Sequence, residues 1–275
     1  MLNNRKKAFE EFEKNGFFIL RNCFDKEIAN QAVHWLKSQD LSSLAKSWTD
    51  QEPFVNLAVY QNIHQNDSLI SKIASDAKML DFASSLMGDE VYIWSSKVNL
   101  KAAWCGTVEY FHQDFVYWTS RGYENMDMMS CMVFLEPHGK KNGGLNVFPG
   151  SHKKGFIEHD SFININGLSK FTIHPDKLNE LESDYGSIII EGNPGDVLFF
   201  HAGLVHGSSH NLSPQSRMVI LSQLNSINNK PTDVSLNAKD FNLKRTKMEL
   251  EEARRRYNWF KEKYNLQLNS EDVEF

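Results

Sequence analysis

The sequence predicts a mainly β protein with flanking helices, of the sandwich or jelly-roll class. Short strand-like runs dominate the chain after Gly88, and turns rich in Gly, Pro and Asn separate them, whereas the first third has helical periodicity. Many short strands at this spacing favour two packed antiparallel sheets over a parallel sheet. With 275 residues and no internal repeat, we expect one domain over residues 1–243, followed by a helix and tail over 244–275.

The predicted helices lie mainly in the first third of the chain. Apolar spacing predicts a helix over residues 6–15 that stops at Gly16, and the apolar run 17–20 then predicts a strand. Asp25 is placed to cap a second helix. Further helical pattern runs from Leu69 to Met87.

The predicted strands follow in the remaining two thirds. We expect the stretch 156–185 between them to be an irregular insertion with one short helix. Turn chemistry stands between the strands, as in Asn142-Gly143-Gly144. The predicted strands are 91–100, 128–135, 145–148, 187–190, 196–200 and 217–224.

Composition excludes several classes of protein. A net charge of -5 gives no basic field of the kind that sequence-independent nucleic-acid binding requires, so we expect no nucleic-acid partner. No run approaches the roughly 20 apolar residues that span a bilayer, and the charged start does not resemble a signal peptide. The three cysteines are widely spaced, as in reduced proteins. We therefore expect a cytoplasmic protein without a membrane partner.

A His-x-Asp pair is the first candidate for a metal site. Alternation along an extended chain places His112 and Asp114 on one face, where both could bind one ion. Ferrous iron in oxygenases is commonly held by two imidazoles and one carboxylate. The pair alone is a weak signal, because His174 and Asp176 repeat it. Since a helix pattern follows Asp176, we interpret that second pair as a helix cap.

The third ligand must come from a distant strand, and His201, His206 and His210 are the candidates. If the turn centres on Asn211-Leu212, an antiparallel hairpin places Arg217 directly opposite His206, with both side chains on one face. Neither of the other two histidines has an arginine opposite it under that pairing. His206 is therefore the predicted ligand.

Arg217 matters because of its geometry. A guanidinium can bind a carboxylate through two parallel charge-assisted hydrogen bonds, and Ser208, two residues from His206, could add a hydroxyl donor. An isolated arginine at the start of a strand is usually solvated or in a surface ion pair. Its predicted position beside a metal ligand favours a carboxylate clamp instead.

These motifs together resemble the phytanoyl-CoA dioxygenase family over roughly residues 9–224. The resemblance implies a double-stranded β-helix, the cupin-like jelly roll, with Fe(II) on His112, Asp114 and His206. It also implies 2-oxoglutarate on Arg217 and Ser208, and O2 as the oxidant. The segments that carry it are 15–21, 112–118, 142–144, 149–152 and 195–201, with His206 eleven positions before Arg217.

The resemblance places three further residues near the site. Lys97 and Asn99 occupy the strand from which related hydroxylases contact 2-oxoglutarate, although a surface lysine and a strand-edge amide are equally good interpretations. Trp118 falls where the ectoine hydroxylase branch has an aromatic residue that contacts substrate, and ordinary core packing is its alternative. His152 belongs to a structural Pro-Gly-Ser-His turn and is not counted as a ligand.

The function that follows is hydroxylation of a small polar metabolite with release of succinate and CO2. The alternatives are a cupin-like metal isomerase or hydrolase, against which Arg217 argues, and a catalytically inactive jelly roll that binds a ligand. The amphipathic helix predicted over residues 244–264 packs on the domain, or else forms a homodimer contact or a lid.

Overall fold

The computed structural model describes residues 2–38, 59–61, 63–65, 68–104, 108–119, 121–163 and 169–232. The helix predicted over 244–264, its dimer or lid role, and the domain boundary at residue 243 lie outside these ranges.

The predicted helices are present, although the first begins at Leu2 and not at residue 6, one is divided in two, and the short helix Val116–Thr119 was not predicted. The predicted helix 69–87 is two helices, because the carboxylate of Asp76 accepts hydrogen bonds from the backbone N–H groups of Lys78 and Met79 and so begins a new helix. No helix in the described ranges is both long and apolar enough to cross a membrane. The α-helices are α1 (Leu2–Asn15), α2 (Lys26–Ser38), α3 (Leu69–Ala74), α4 (Ala77–Met87), α5 (Val116–Thr119) and α6 (Pro175–Tyr185), with 3-10 turns at Ile63–Gln65, Lys140–Asn142 and Ser151–Lys154.

All six predicted strands are present, with ends within one or two residues of those expected. The stretch 156–185 is more regular than predicted, because it holds a two-stranded hairpin before its helix. The strands are β1 (Phe17–Leu20), β2 (Val59–Gln61), β3 (Val91–Lys101), β4 (Glu109–His112), β5 (Met128–Phe134), β6 (Leu145–Val147), β7 (His159–Ile163), β8 (Ser169–Ile173), β9 (Ile188–Ile189), β10 (Val197–His201), β11 (His206–Ser208) and β12 (Arg217–Ser226).

The two main sheets confirm the predicted jelly roll. A six-stranded antiparallel sheet has the order β1-β10-β5-β12-β3-β2, and a four-stranded sheet has the order β4-β11-β6-β9. The hairpin β7-β8 forms a separate small sheet. Chain neighbours such as β10 and β11 lie in different sheets, which is how a jelly roll winds.

Alternation along the large sheet separates two cores. Side chains such as Met132 and Leu221 point inward and form a cluster with Leu145 and Val147 of the small sheet. Their neighbours in sequence point outward and pack under the helices, as Val133 does. Because each buried aliphatic side chain contributes roughly 1.5–3 kcal/mol, both faces of the large sheet stabilise the fold.

The predicted hairpin between the strands of His206 and Arg217 is wrong. β11 pairs with β4 and β6, whereas β12 pairs with β3 and β5, so the two residues belong to different sheets. The turn residues lie instead in the loop that carries the chain from β11 in the small sheet to β12 in the large sheet. Asn211 stabilises this crossing by donating to the carbonyl of Gln215 and accepting from the backbone N–H of Ser213.

The loop at Gly195 approaches the backbone of residue 24 closely, and Gly88 provides a comparison without such a contact. Gly195 has φ +93, and a Cβ there would lie 2.1 Å from the carbonyl oxygen of Phe24. Gly88 also has a positive φ of 68 but has open space around it. We predict that Gly88→Ala costs about 1–2 kcal/mol of unfolding free energy, the cost of the left-handed backbone alone. Gly195→Ala should cost about 1–3 kcal/mol more because of the clash.

Chemical denaturation of both variants measures this difference. Equal losses at the two positions would contradict the close approach of residues 24 and 195.

Candidate active site

Three side chains converge between the two sheets. His112 ends β4, His206 begins β11 and lies opposite it in the ladder, and Asp114 follows two residues after His112. One Asp114 carboxylate oxygen lies 3.6 Å from His112 Nε2 and 3.7 Å from His206 Nε2. All three are buried, and their ligand atoms lie within 4.8 Å of one another. The structure thus brings together the three predicted ligands.

The reason for this convergence differs from the prediction. Asp114 does not continue the strand of His112 but lies in the turn that leads into α5. Gln113, which is fully buried, fixes that turn: its side-chain amide donates to the carbonyls of Gly155 and Gly203 and accepts from the N–H of Ile157. Gln113 therefore ties the ligand turn to two other loops.

The histidine tautomers follow from their backbone contacts. His112 Nδ1 lies 2.7 Å from the carbonyl oxygen of Tyr110, and His206 Nδ1 lies 2.9 Å from that of Leu204. A carbonyl oxygen only accepts hydrogen bonds, so each Nδ1 carries the proton. Each Nε2 lone pair is then directed at the point that the Asp114 carboxylate also faces, as in metal sites whose ligands are held by outer contacts.

Charges in the site favour the ligand forms of these groups. Burial by itself would raise the pKa of Asp114, but its neighbours hold that pKa well below its usual range. These neighbours are His206, His112 and Ser130, whose hydroxyl donates at 2.7 Å to the Asp114 oxygen that does not face the histidines. Burial and the neighbouring His112 lower the pKa of His206 to about 4. The carboxylate is ionised and the imidazole of His206 neutral at neutral pH.

A second group of polar side chains lies in the interior near Arg217, the first residue of β12. The guanidinium of Arg217 is buried and donates from Nη1 to the carbonyl of Gly143 at 2.6 Å, and its Nε has no hydrogen-bond partner among the described residues. Arg217 is the ladder partner of Lys101 on β3. The Lys101 ammonium donates to the hydroxyl of Ser208 at 2.7 Å. Arg217 and Ser208 therefore reach one interior region from opposite sheets.

The sequence reasoning missed Lys101, which is 1% exposed. A signal was available: Lys97, Asn99 and Lys101 alternate along one strand and therefore share a face. Their ladder partners on β12 include Val219 and Leu221, which belong to the inner core cluster, so this face of β3 points inward.

Lys97 and Asn99 stand on that inner face, as the predicted roles require. Burial lowers the pKa of Lys97, while the charges of Asp114 and Glu109 act in the opposite direction. The side-chain oxygen of Asn99 is buried and has no hydrogen-bond partner within the described ranges. Their contact with 2-oxoglutarate stays a prediction.

Trp118 is buried in a core cluster with residues such as Phe115 and Tyr123, and its ring packs edge-on against Trp94 at 5.8 Å. Its neighbour Tyr117 lies beside the ligands, with its ring perpendicular to that of His112 at 5.7 Å, and Phe200 lies 5.0 Å from His206. The substrate contact predicted for Trp118 stays a prediction.

The β7-β8 hairpin packs beside the site. Phe171 of β8 lies edge-on to Tyr117 with ring centroids 5.1 Å apart. Lys170 forms an ion pair with Glu109 of β4 at 3.0 Å. His159 of β7 accepts a hydrogen bond from the backbone N–H of Gln113 at 3.0 Å. The insertion thus forms one wall next to the metal ligands.

The second His-x-Asp pair is a helix start, as interpreted. His174 is the N-cap of α6, its ring accepts from the backbone N–H of Asp176, and the Asp176 side chain is 82% exposed. The cap is therefore the histidine and not the aspartate.

His152 lies beside His201, with ring centroids 5.3 Å apart. In the described ranges neither the pair His174 and Asp176 nor the pair His152 and His201 belongs to a metal-binding cluster.

A known family model covers the part of the chain that builds this site. The model for phytanoyl-CoA dioxygenase (PhyH) matches residues 12–219. The chain belongs to this family.

Similar proteins agree with that membership. The ectoine dioxygenase of Sphingopyxis alaskensis is 30% identical over 230 residues, which cover 80% of this chain and 75% of that protein. The L-proline trans-4-hydroxylase of Streptomyces griseoviridis is 28% identical over 179 residues, 61% of this chain and 67% of that protein.

Solved structures extend the likeness to three dimensions. The crystal structure of EctD from S. alaskensis with 2-oxoglutarate and 5-hydroxyectoine has a TM-score of 0.68 and 29% identity, covering 83% of this chain and 79% of that one. The epimerase SnoN from nogalamycin biosynthesis, at 14% identity and a TM-score of 0.62, shares the fold.

We predict that His112→Ala, Asp114→Ala and His206→Ala each weaken Fe(II) binding by at least about 100-fold, because each removes one of three ligands. His174→Ala, Asp176→Ala and His152→Ala should bind Fe(II) like the parent protein. Anaerobic calorimetry with Fe(II) measures all six, and circular dichroism checks their folding. Loss of binding in a folded Asp176→Ala variant, with binding retained in Asp114→Ala, would overturn the assignment.

Proposed function

We propose that this protein is an Fe(II)- and 2-oxoglutarate-dependent dioxygenase that hydroxylates a small polar metabolite and releases succinate and CO2. The observation that carries the proposal is a buried set of two imidazole Nε2 atoms and one carboxylate, in the same interior as a buried guanidinium that has no carboxylate partner in the described ranges.

The donor set fits ferrous iron. Two neutral imidazoles and one carboxylate are the facial ligands of non-haem Fe(II) oxygenases, which leave the remaining positions open. In this chain His112, Asp114 and His206 would hold the ion. Their backbone and Ser130 contacts fix all three side chains before any metal binds, which lowers the entropy cost of forming the site.

The Arg217 region fits the distal carboxylate of a dicarboxylic acid. Arg217 keeps Nε unsatisfied in a buried position, a state that normally costs free energy unless an acceptor is provided. Ser208 lies on β11 two residues from His206, so about 7 Å of strand separates this region from the metal ligand. That separation suits 2-oxoglutarate, whose keto acid end would be at the metal and whose other carboxylate would be at Arg217.

When bound, iron and 2-oxoglutarate supply the oxidising power to insert one atom of O2 into a C–H bond. The protein supplies position and environment. The two histidines and Asp114 hold the metal, Arg217 and Ser208 orient the cosubstrate, and the apolar side chains between the sheets keep water away from the reacting atoms.

Relatives support a small polar substrate. The ectoine dioxygenases and the L-proline trans-4-hydroxylase are named for small polar molecules, and the solved EctD contains 5-hydroxyectoine with 2-oxoglutarate. A free metabolite of this class is our proposal for this chain. A homodimer, the absence of a nucleic-acid partner and a cytoplasmic location stay predictions.

A panel of amino acids, compatible solutes and sugar acids, scored by substrate-dependent succinate formation, tests the proposal. A cupin-like isomerase or hydrolase would convert substrate without succinate. An inactive binding module would produce neither conversion nor succinate.

We predict hydroxylation and not halogenation. Related halogenases have a small residue in place of the carboxylate ligand, which makes room for chloride, whereas this chain retains Asp114. With labelled O2, the product should gain one labelled oxygen atom per succinate formed. Chloride-dependent formation of a chlorinated product would contradict this assignment.

We predict that Arg217→Lys weakens 2-oxoglutarate at least several-fold, because an ammonium keeps the charge but loses the two-pronged geometry. Succinate formation measured against 2-oxoglutarate concentration gives the apparent affinity, and Arg21→Lys is the control, since that arginine is half exposed and pairs with Asp196. An unchanged dependence on 2-oxoglutarate would remove Arg217 from the cosubstrate site.

A further inference from the structure

A surface cavity of about 890 Å³ lies beside the loop that leads into β12. Three loop segments line it, over residues 137–142, 191–193 and 213–215, together with Arg21. None of the residues proposed to hold iron or 2-oxoglutarate is among its lining residues. Its volume is that of a small-molecule site, and most of its lining residues are polar or charged. The cavity therefore suits a small polar ligand.

The side chains around the cavity make it positively charged. Three of the lining residues are basic and one is acidic, namely Arg21, Lys140, Lys141 and Glu191. Both lysines are exposed. The guanidinium of Arg21 is held at the wall, because its Nη1 donates to a carboxylate oxygen of Asp196 and to the backbone carbonyl of Glu191. This excess of positive charge attracts anions.

His138 supplies a buried donor without an acceptor. It is 3% exposed, lines the cavity, and accepts a hydrogen bond at Nε2 from the backbone N–H of Leu145 at 2.9 Å. A neutral imidazole that accepts at Nε2 carries its proton on Nδ1. That Nδ1 has no hydrogen-bond partner among the described residues, although a buried N–H group normally has one. An acceptor in the cavity would satisfy it.

The protonation state of His138 is consistent with this role. Burial lowers its pKa most, and the charges of Arg217 and Lys101 lower it further, to well below the ordinary value. The ring is therefore neutral at neutral pH and keeps its single proton on Nδ1. The two buried cations also add to the positive field that the basic residues of the cavity produce.

We propose that this cavity is a second ligand site, which binds a phosphate group as the inorganic ion or as a monoester. A phosphate carries roughly −1.5 to −2 charges at neutral pH and has several acceptor oxygens, so it can accept from His138 and pair with Lys140 and Lys141 together. A carboxylate is matched best by the two-pronged edge of a guanidinium. Arg21 already uses Nη1 for two oxygen acceptors, which favours phosphate.

Calorimetry on the full chain tests this site with two probes, inorganic phosphate and glycerol 3-phosphate, at constant ionic strength. At least one probe should bind saturably below about 10 mM, and the stronger of the two identifies the ion or the ester as the preferred form. Replacing both cavity lysines, Lys140→Met with Lys141→Met, should weaken that probe about tenfold, because two exposed cations each contribute modestly to binding an anion. Glu191→Gln should strengthen it about threefold, since a like charge is removed.

Lys153→Met with Lys154→Met is the matched control. These two lysines are also adjacent and exposed, and their loss changes the net charge by the same amount, so affinity for either probe should stay as in the unaltered protein. Equal weakening in the two double variants would show a general effect of charge and overturn the site. No saturable binding of either probe to the unaltered protein would overturn it as well.

The imidazole of His138 gives a readout that needs no substitution. In ¹H–¹⁵N spectra recorded for imidazole nitrogens, its Nδ1 resonance should shift with the same saturation curve that calorimetry gives. His174, the exposed N-cap of α6, is the internal control and should not follow that curve. Saturable phosphate binding that leaves the His138 resonance unchanged would contradict the assignment to this cavity.

Discussion

Among the charged side chains between the two sheets are the carboxylate of Asp114 and two cations, Lys101 and Arg217, which lie among apolar side chains. Removing a charge from water costs several kcal/mol after relaxation, so each must be compensated locally. Asp114 faces two imidazoles and a serine hydroxyl, whereas the two cations have only neutral hydrogen-bond acceptors in the part of the chain that the structure describes. One end of the site therefore favours binding of a cation, and the other end favours binding of an anion. A divalent metal at the first end and a dicarboxylic acid reaching the second would neutralise both.

The jelly roll makes such an arrangement possible because its strands alternate between facing sheets. His206 and Ser208 come from the small sheet, whereas Arg217 comes from the large one, and the crossing loop built around Asn211 lies between them. Gln113 joins the ligand turn to the loops at Gly155 and Gly203. The ligand geometry is therefore held by contacts that are distant in sequence, while the β7-β8 hairpin contributes one wall.

Local pattern predicted much of this and failed where long-range topology decided. The apolar run 217–224 predicted a strand that the structure shows with almost the same ends. The metal-ligand chemistry of His112, Asp114 and His206 predicted the three residues that converge. The pairing of His206 with Arg217 was wrong because turn residues indicate a reversal of the chain but not the sheet in which the next strand lies. Lys101 was missed because a lysine at a strand end is usually exposed, and only the ladder to Arg217 reveals that it points inward.

We expect the metal and 2-oxoglutarate to occupy this interior together. The most direct test adds Fe(II) and then 2-oxoglutarate to the protein without oxygen and records the visible absorption spectrum. Chelation of iron by the keto acid should give a weak charge-transfer band that requires both components and is absent in His206→Ala. An unaltered protein that binds Fe(II) at His112, Asp114 and His206 but develops no band with saturating 2-oxoglutarate would contradict the claim and favour a cupin-like isomerase or hydrolase.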